Sequence, residues 1–155
     1  MRYWLFKSEP SSYSWQKLLA DRRTPWSGVR NFQARNNMME MKVGDLGFFY
    51  HSSIAVPEIV GIVKVVREAY PDDTAWKKDG EYYDPRSTPK KPLWYMVDVE
   101  PESELPRPVT LTELRGATEL AYMPLLRRGQ RLSVQPVSPQ EWKAIVALGR
   151  RPPAG

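Results

Sequence analysis

Short runs of aromatic and β-branched residues recur along the chain, and each run ends within a few positions at a proline, a glycine or a polar cluster. This pattern predicts short strands rather than long helices. The predicted strands are Arg2–Lys7, Leu46–His51, Ile59–Arg67, Leu93–Val99 and Leu132–Val134. Because strands and helices do not alternate regularly, we expect an α+β domain built on a small, partly closed barrel of about five or six strands.

Four short helices are expected between and after these strands. Their predicted bounds or first residues are Ser14–Asp21, Asn31–Met39, Thr110 and Ser138. The first two segments carry apolar residues at helical spacing, and Asn31 can act as the N-cap of the second. Thr110 and Ser138 each precede a glutamate by three residues, which is the pattern of a capping box.

The limits of the domain and its longest loop follow from glycines and prolines. Gly149 is expected to end the last helix, so that residues 1–149 form a single domain and residues 150–155 a frayed tail. Residues 69–92 have no hydrophobic periodicity and predict a long loop, and loops of this length are usually functional or disordered. Gly61 interrupts a predicted strand, which indicates a bulge or a close approach of another segment.

Residue usage excludes several kinds of site. The chain has no cysteine, so disulfides and zinc–thiolate sites are impossible, and its one histidine, His51, excludes a multi-histidine metal centre. We therefore expect no metal and no cofactor.

No apolar run approaches the roughly 18 residues of a membrane span, and the first residues lack a signal-peptide pattern. These features predict a cytoplasmic protein without a membrane partner, and we expect a monomer.

Charge is unevenly distributed along the chain. The formal net charge is +5, the segment 92–126 is acidic, and the segment 127–155 is strongly basic. A basic protein with a separate acidic segment can present a basic face to a polyanion. An ordinary solvated surface explains the same charges, so both interpretations stay open on charge alone.

A polar cluster, Lys7-Ser8-Glu9-Pro10, directly follows the first strand. The cluster can be a simple surface end of the strand, or it can form the floor of a pocket. Lys7 and Glu9 are two positions apart and would share one face of the strand, so they are candidates for acid–base catalysis as well as for a plain ion pair. His51 and Ser52 are adjacent and would point to opposite faces of a strand, which argues against a nucleophile and its base.

Trp26 lies in a loop between Pro25 and Ser27. A loop tryptophan beside small residues can stack on a planar ligand, with neighbouring backbone groups binding the ligand edge. The same tryptophan can equally be a lid over the core. The tryptophans that we assign to the core are Trp4, Trp15, Trp94 and Trp142.

Five longer blocks make the chain resemble a known family. They are YWLFKSEP, WSGVRNFQARNNM, KVGDLGFFYHSS, GIVKVVREAYPD and RLSVQPVSPQEW, in this order from Tyr3 to Trp142. With these blocks the chain resembles the EVE domain family of the PUA-like superfamily. The resemblance implies a PUA-like pseudo-β-barrel with flanking short helices. It also implies binding of a modified base, a cytosine derivative in particular, in DNA or RNA, similar to the way YTH domains read methylated adenine.

The same resemblance implies which residues form the pocket. They are Lys7, Ser8 and Glu9 after the first strand, Trp26, Ser27, Val29, Arg30 and Asn31 before the second helix, and Tyr50, His51 and Ser52 after the second strand. Trp26 would stack on the base, and Glu9 would accept a hydrogen bond from an exocyclic amine such as cytosine N4. Ser8 and Ser27 would bind other ring atoms. Phe32 stands where many family members carry tyrosine, which removes one hydroxyl.

Basic residues outside the pocket would bind the phosphate backbone, so that binding weakens with salt. The residues assigned to this role are Arg30, Arg35, Lys64, Lys77 and Lys78.

Three functional classes follow from these observations. The leading hypothesis is a non-enzymatic reader of a modified base. The second is a hydrolase or an enzyme associated with RNA modification, since related PUA-like families include hydrolases that use a lysine and a glutamate, here Lys7 and Glu9. The third is an interaction module of a larger assembly, with residues 69–92 as its surface.

Overall fold

The computed structural model describes residues 1–129 and 131–152, and within them the chain forms six strands and four α-helices. The strands are β1 (Tyr3–Ser8), β2 (Thr24–Pro25), β3 (Leu46–His51), β4 (Glu58–Pro71), β5 (Tyr95–Thr110) and β6 (Val134–Val137). The helices are α1 (Trp15–Asp21), α2 (Phe32–Glu40), α3 (Leu111–Arg115) and α4 (Pro139–Arg150). Short 3-10 helices cover Asp73–Trp76, Thr118–Leu120 and Pro124–Leu126.

All six strands belong to one mixed sheet with the order β2-β5-β4-β3-β1-β6. β1 pairs with β3 in parallel, and the other neighbouring strands are antiparallel. Strands β2 and β6 are the two edges, so the sheet is open in the described part of the chain. The α+β class and the predicted number of strands are confirmed. Several register shifts between β4 and β5 bend the sheet, because an extra residue on one strand adds local twist.

Strands β5 and β6 differ from their predicted bounds. β5 begins at Tyr95 and continues to Thr110, beyond the predicted end at Val99, because bulged pairing with β4 accommodates its prolines. β6 covers Val134–Val137 rather than Leu132–Val134. Pro136 lies in this strand without cost to the sheet because β6 is an edge strand that pairs with β1 alone.

The predicted loop at 69–92 is shorter than expected. β4 continues to Pro71, and Asp73–Trp76 forms a 3-10 helix in which the carboxylate of Asp72 accepts from the backbone N–H of Thr74. Residues 77–94 then connect to β5, and we refer to them as the 77–94 loop.

The predicted helix caps are confirmed. Asn31 caps α2 by accepting from the N–H of Ala34, and Thr110 and Ser138 form complete capping boxes. Helix α4 runs one residue past Gly149, which is buried and packs against Leu105. Gly149 therefore lies within the helix rather than ending it, and a Cβ atom there would be 3.6 Å from Leu105, an ordinary van der Waals contact. Residues 153–155 of the predicted tail lie outside the described residues.

The core has two parts because side chains alternate across the sheet. Trp4 and Phe6 of β1 belong to a cluster with Trp26, whereas Leu5 belongs to a second cluster with Trp142. The four tryptophans assigned to the core are buried, each with at most 8% of its surface exposed. The prediction for Gly61 is also confirmed, since a side chain there would collide with the Trp15 ring and β4 is irregular at this point.

Candidate functional site

A cavity of about 520 Å³ opens at the end of β1, on the face of the sheet that carries Trp26. Four segments meet around it: the end of β1 with the turn that follows, the chain from β2 towards α2, the 77–94 loop, and the residue before β6. The predicted site residues that line it are Lys7, Ser8, Glu9, Trp26, Ser27, Val29 and Arg30. The structure also places in the lining Ser12, Tyr13, Thr24, Pro25, Gly28, Glu81, Tyr82 and Ser133.

Ser8 and Glu9 supply polar groups to one wall of the cavity. The Ser8 hydroxyl donates to the backbone carbonyl of Tyr13, so towards a ligand it can act as an acceptor. Glu9 is exposed, its backbone carbonyl accepts from the N–H groups of Ser12 and Tyr13, and its carboxylate has no ion pair with any described residue. The backbone of this wall is therefore fixed while its carboxylate stays available as a hydrogen-bond acceptor.

Trp26 belongs to the core and to the cavity at the same time. The side chain is 7% exposed, and its ring packs edge-on against Phe6, Tyr13 and Phe49 at centroid distances of 5.1, 6.4 and 5.6 Å. The two interpretations of this residue thus apply together, since most of the ring is buried and a small part lines the cavity. The ring can bound a ligand, but it cannot swing away without opening the core.

Tyr82 of the 77–94 loop forms an aromatic wall that the sequence analysis missed. Its ring lies directly against Gly28, where a Cβ atom would be 2.7 Å from the ring carbon Cζ. Gly28 has a φ of +84°, a conformation that favours glycine. Burial, with help from Glu81, raises the pKa of the Tyr82 hydroxyl, which is therefore a neutral donor at physiological pH. The tight contact with Gly28 holds this ring beside the cavity.

A buried ion pair holds the Tyr82 loop against the Trp26 loop. Asp72 is fully buried and accepts from the Gly28 N–H at 2.8 Å and from Arg30 Nη1 at 3.0 Å. Arg30 also donates from Nε and Nη2 to the carbonyl of Tyr82. With further bonds to Val29 and Thr74, the guanidinium makes five hydrogen bonds inside the protein. This geometry gives Arg30 a positioning role at the cavity wall.

Lys7 and Glu9 do not form the ion pair that an acid–base interpretation requires. Burial lowers the pKa of the half-buried Lys7, and no carboxylate of the described residues contributes to the shift. By alternation along β1 the Lys7 side chain leaves the strand on the face of Leu5, opposite to Phe6 and Trp26. We therefore expect the main chain of Lys7 to be the part that lines the cavity.

Four other predicted site residues lie away from the cavity lining. Asn31 is occupied as the N-cap of α2, and Tyr50 is 4% exposed in the second core cluster. Ser52 donates its backbone N–H to the carbonyl of Ser8. His51 accepts at Nε2 from the backbone N–H of Trp15, 3.1 Å away. His51 and Ser52 thus support the segments that carry the cavity, and their direct contact with a ligand stays a prediction.

His51 makes the stability of the fold depend on pH. Burial lowers the pKa of its imidazole from the ordinary 6.5, and the neutral ring accepts the Trp15 N–H. The unfolded chain binds a proton at higher pH than the folded chain, so stability is expected to fall as the pH drops from about 6.5 towards the folded pKa. Nuclear magnetic resonance of this single histidine measures the folded pKa, and denaturation at several pH values measures stability. In His51→Gln this part of the dependence should vanish, and an unchanged profile would contradict the assignment.

The predicted phosphate-binding residues differ in their availability. Arg35 donates to the carbonyl of Leu93 and to the side chain of Asn36. Lys64 is exposed on β4 opposite Glu100 of β5. Lys77 and Lys78 are exposed in the 77–94 loop and have no ion pair with a described residue. The last two have free ammonium groups in the loop that carries Tyr82.

The described residues contain neither a helix that could cross a membrane nor a cluster of side chains that could hold a metal ion. No helix there is long and apolar enough to cross a membrane. No three His, Asp or Glu side chains of those residues lie close enough together to hold a metal ion.

Comparison with protein families decides the membership of the chain. A family model described as the EVE domain matches residues 2–148. The chain belongs to the EVE domain family. A curated relative of this EVE domain, human thymocyte nuclear protein 1, is 39% identical over 171 residues, which cover 98% of this chain and 76% of the relative. An uncharacterized protein of Schizosaccharomyces pombe is 41% identical over 167 residues, covering 97% and 70% of the two chains.

Solved structures share the fold of this EVE domain. The structure of human thymocyte nuclear protein 1 (THYN1) in complex with DNA containing 5-methylcytosine superposes on this chain with a TM-score of 0.93 at 39% identity. The match covers 99% of this chain and 100% of the other. A Pseudomonas putida protein gives a TM-score of 0.92 at 46% identity, covering 95% and 99%. An ASCH protein of Zymomonas mobilis reaches a TM-score of 0.54 at 8% identity, which shows similarity of fold alone. The predicted PUA-like fold is thus confirmed.

Proposed function

We propose that this EVE domain is a reader of DNA that carries a modified cytosine, and that the modified base occupies the cavity beside Trp26 and Tyr82. The observation that carries the proposal is the near-complete structural match to human THYN1 bound to DNA with 5-methylcytosine. The chain also has a cavity of suitable kind. Its volume of about 520 Å³ lies within the roughly 300–1,000 Å³ of small-ligand sites, and its lining combines aromatic and polar groups.

Entry of a base into the cavity requires its removal from the stack. Extrusion costs a few kcal/mol, and aromatic contact inside a pocket recovers about 1–3 kcal/mol per base. Tyr82 is partly buried, with Gly28 against its ring and the Arg30 guanidinium 5.6 Å from the ring centroid, whereas Trp26 is 7% exposed and packed on three other rings. We therefore assign the stacking role to Tyr82 and treat Trp26 as the floor of the cavity.

The polar groups of the cavity match the edge of cytosine. The free carboxylate of Glu9 accepts from the exocyclic N4 amine, and the hydroxyl of Ser27 has no partner among the described residues and can donate to a ring acceptor. Pro25 and Val29 are the aliphatic residues of the lining and supply the apolar surface that a 5-methyl group needs. Such contacts discriminate between bases by about 1–3 kcal/mol.

A reader role needs neither an ion pair between Lys7 and Glu9 nor an activated nucleophile. The 77–94 loop contributes Glu81 and Tyr82 to the cavity, so part of the segment 69–92 belongs to the binding site. Binding to RNA, the monomeric state and a cytoplasmic location stay predictions.

Replacing Tyr82 by alanine tests the proposal. We expect the affinity for an oligonucleotide with one 5-methylcytosine to fall by about 5- to 150-fold, the loss of one aromatic contact. Tyr82→Phe should keep most of the affinity because the ring remains. The neighbouring Tyr83→Ala is the matched control, since Tyr83 is exposed and lies outside the cavity lining. Fluorescence anisotropy with methylated and unmethylated DNA, and with RNA of the same sequence, measures all four proteins.

Two results of this titration would count against the proposal. If the unaltered protein binds methylated and unmethylated oligonucleotides equally well, the chain is not a reader of this modification. If Tyr82→Ala and Tyr83→Ala lower the affinity equally, the base does not use the wall formed by Tyr82.

A further inference from the structure

Three arginines that form no ion pair with a described residue lie in the segment that precedes Ser133 of the cavity lining. Arg127, Arg128 and Arg131 are exposed, and none of them has an ion pair with a described residue. Some other exposed arginines are neutralised, such as Arg86 by Asp84 and Arg23 by Asp98, both at 2.9 Å, whereas Arg22 and Arg115 also lack an ion pair with a described residue. Three unpaired guanidinium groups within five positions create a local positive potential, which favours an anionic partner.

This basic segment is followed by a residue of the cavity wall, Ser133. Ser133 lines the cavity, and its carbonyl accepts from the Lys7 N–H at 2.8 Å. Arg131 is two residues from Ser133, so their Cα atoms are at most about 7 Å apart, within the reach of an arginine side chain. Arg131 therefore lies next to the cavity, and Arg128 and Arg127 precede it in the chain by three and four positions.

Phosphates are disfavoured inside the cavity itself. Glu9 and Glu81 both line it, and a phosphate placed beside two carboxylates would be repelled. A nucleotide must consequently place its base inside and its phosphates outside, on cations next to the opening. Arginine suits this role because its planar guanidinium binds two phosphate oxygens at once.

We propose that Arg127, Arg128 and Arg131 bind the phosphates that flank the extruded base. This inference rests on the proposed function and adds to it the surface that holds the DNA backbone. It differs from the earlier assignment, because Arg30 and Arg35 use their guanidinium groups in bonds within the protein. Lys77 and Lys78, which are exposed in the 77–94 loop, are the alternative and are included in the test.

The test is the salt dependence of DNA binding by the full chain. Each phosphate contact contributes about −0.9 to the slope of log affinity against log salt for duplex DNA. In the double variant Arg128→Gln/Arg131→Gln the slope should become shallower by about 2, and affinity at low salt should fall roughly equally for methylated and unmethylated DNA. The matched control is Lys143→Gln/Arg150→Gln, which removes two charges from α4 on the other face of the sheet.

The outcomes separate this inference from the proposed function. A protein that shows no preference for 5-methylcytosine overturns the proposed function, and the inference with it. If the preference is present but the arginine variant keeps the slope of the unaltered protein, the phosphate surface lies elsewhere and the reader function stands. A change confined to Lys77→Gln/Lys78→Gln would likewise overturn the arginine assignment. Circular dichroism confirms that every variant is folded.

Discussion

Replacing Trp26 by alanine is expected to lower the free energy of unfolding by about 3–5 kcal/mol, the usual cost of removing a buried tryptophan. The ring is 7% exposed and packs on Phe6, Tyr13 and Phe49, so its loss leaves a void between two strands and a turn. A domain of this size is stable by only about 5–15 kcal/mol. Chemical denaturation measures the effect directly.

Trp26→Phe is the comparison that separates packing from binding. Phenylalanine keeps part of the aromatic contact in the core, so we expect a smaller loss of stability and a folded protein in which affinity can be measured. A loss below about 1 kcal/mol for Trp26→Ala would contradict the assignment of this ring to the core. The large cost also means that weak DNA binding by Trp26→Ala cannot by itself be attributed to a lost stacking contact, which is why Tyr82 is the sharper test.

Replacing Asp72 by alanine is expected to destabilise the protein by about 3–5 kcal/mol and to abolish selective DNA binding. Asp72 is fully buried, whereas the side chain of Arg30 is 23% exposed. Because solvent can reach part of the guanidinium, we expect a loss of stability nearer to about 3 kcal/mol than to about 5 kcal/mol. Removal of the carboxylate leaves the Gly28 N–H and the guanidinium without their acceptor. The two loops that form the cavity would then separate.

The neighbouring residue provides the control for Asp72. Asp73→Ala removes an exposed carboxylate from the same 3-10 helix and should change stability by less than about 0.5 kcal/mol. Chemical denaturation measures the stability of both variants, and fluorescence anisotropy measures their affinity for DNA. Equal stabilities for Asp72→Ala and Asp73→Ala would show that the buried ion pair does not hold the loops together.

Local sequence signals were sufficient for most of the helices and strands. Caps such as Ser138 and Asn31 act within three or four residues, so their hydrogen bonds could be anticipated without knowledge of the fold. The bounds of β5 and β6 were wrong because prolines end a strand in a sequence pattern, yet they are tolerated at bulges and sheet edges. Whether a proline lies at an edge is a property of the sheet.

The candidate site was predictable in part. Ser8, Glu9 and Trp26 line the cavity as expected, since they lie in blocks that resemble a known family. Tyr82 and Ser133 were missed, although Gly28 beside the Trp26 loop was a signal that another group approaches closely. Asn31 and Tyr50 were assigned to the ligand, and the structure uses them in a helix cap and in the core.

By itself, the sequence determined what neighbouring residues decide: the helix caps, the alternation that buries Trp4 and Phe6, and the absence of thiol chemistry. Only the tertiary structure decided what the cavity contains. Its walls include segments more than 40 positions apart in the chain, joined by the Arg30–Asp72 ion pair and by the contact of Tyr82 with Gly28. Such pairings depend on how distant segments pack, and no local pattern of residues encodes them.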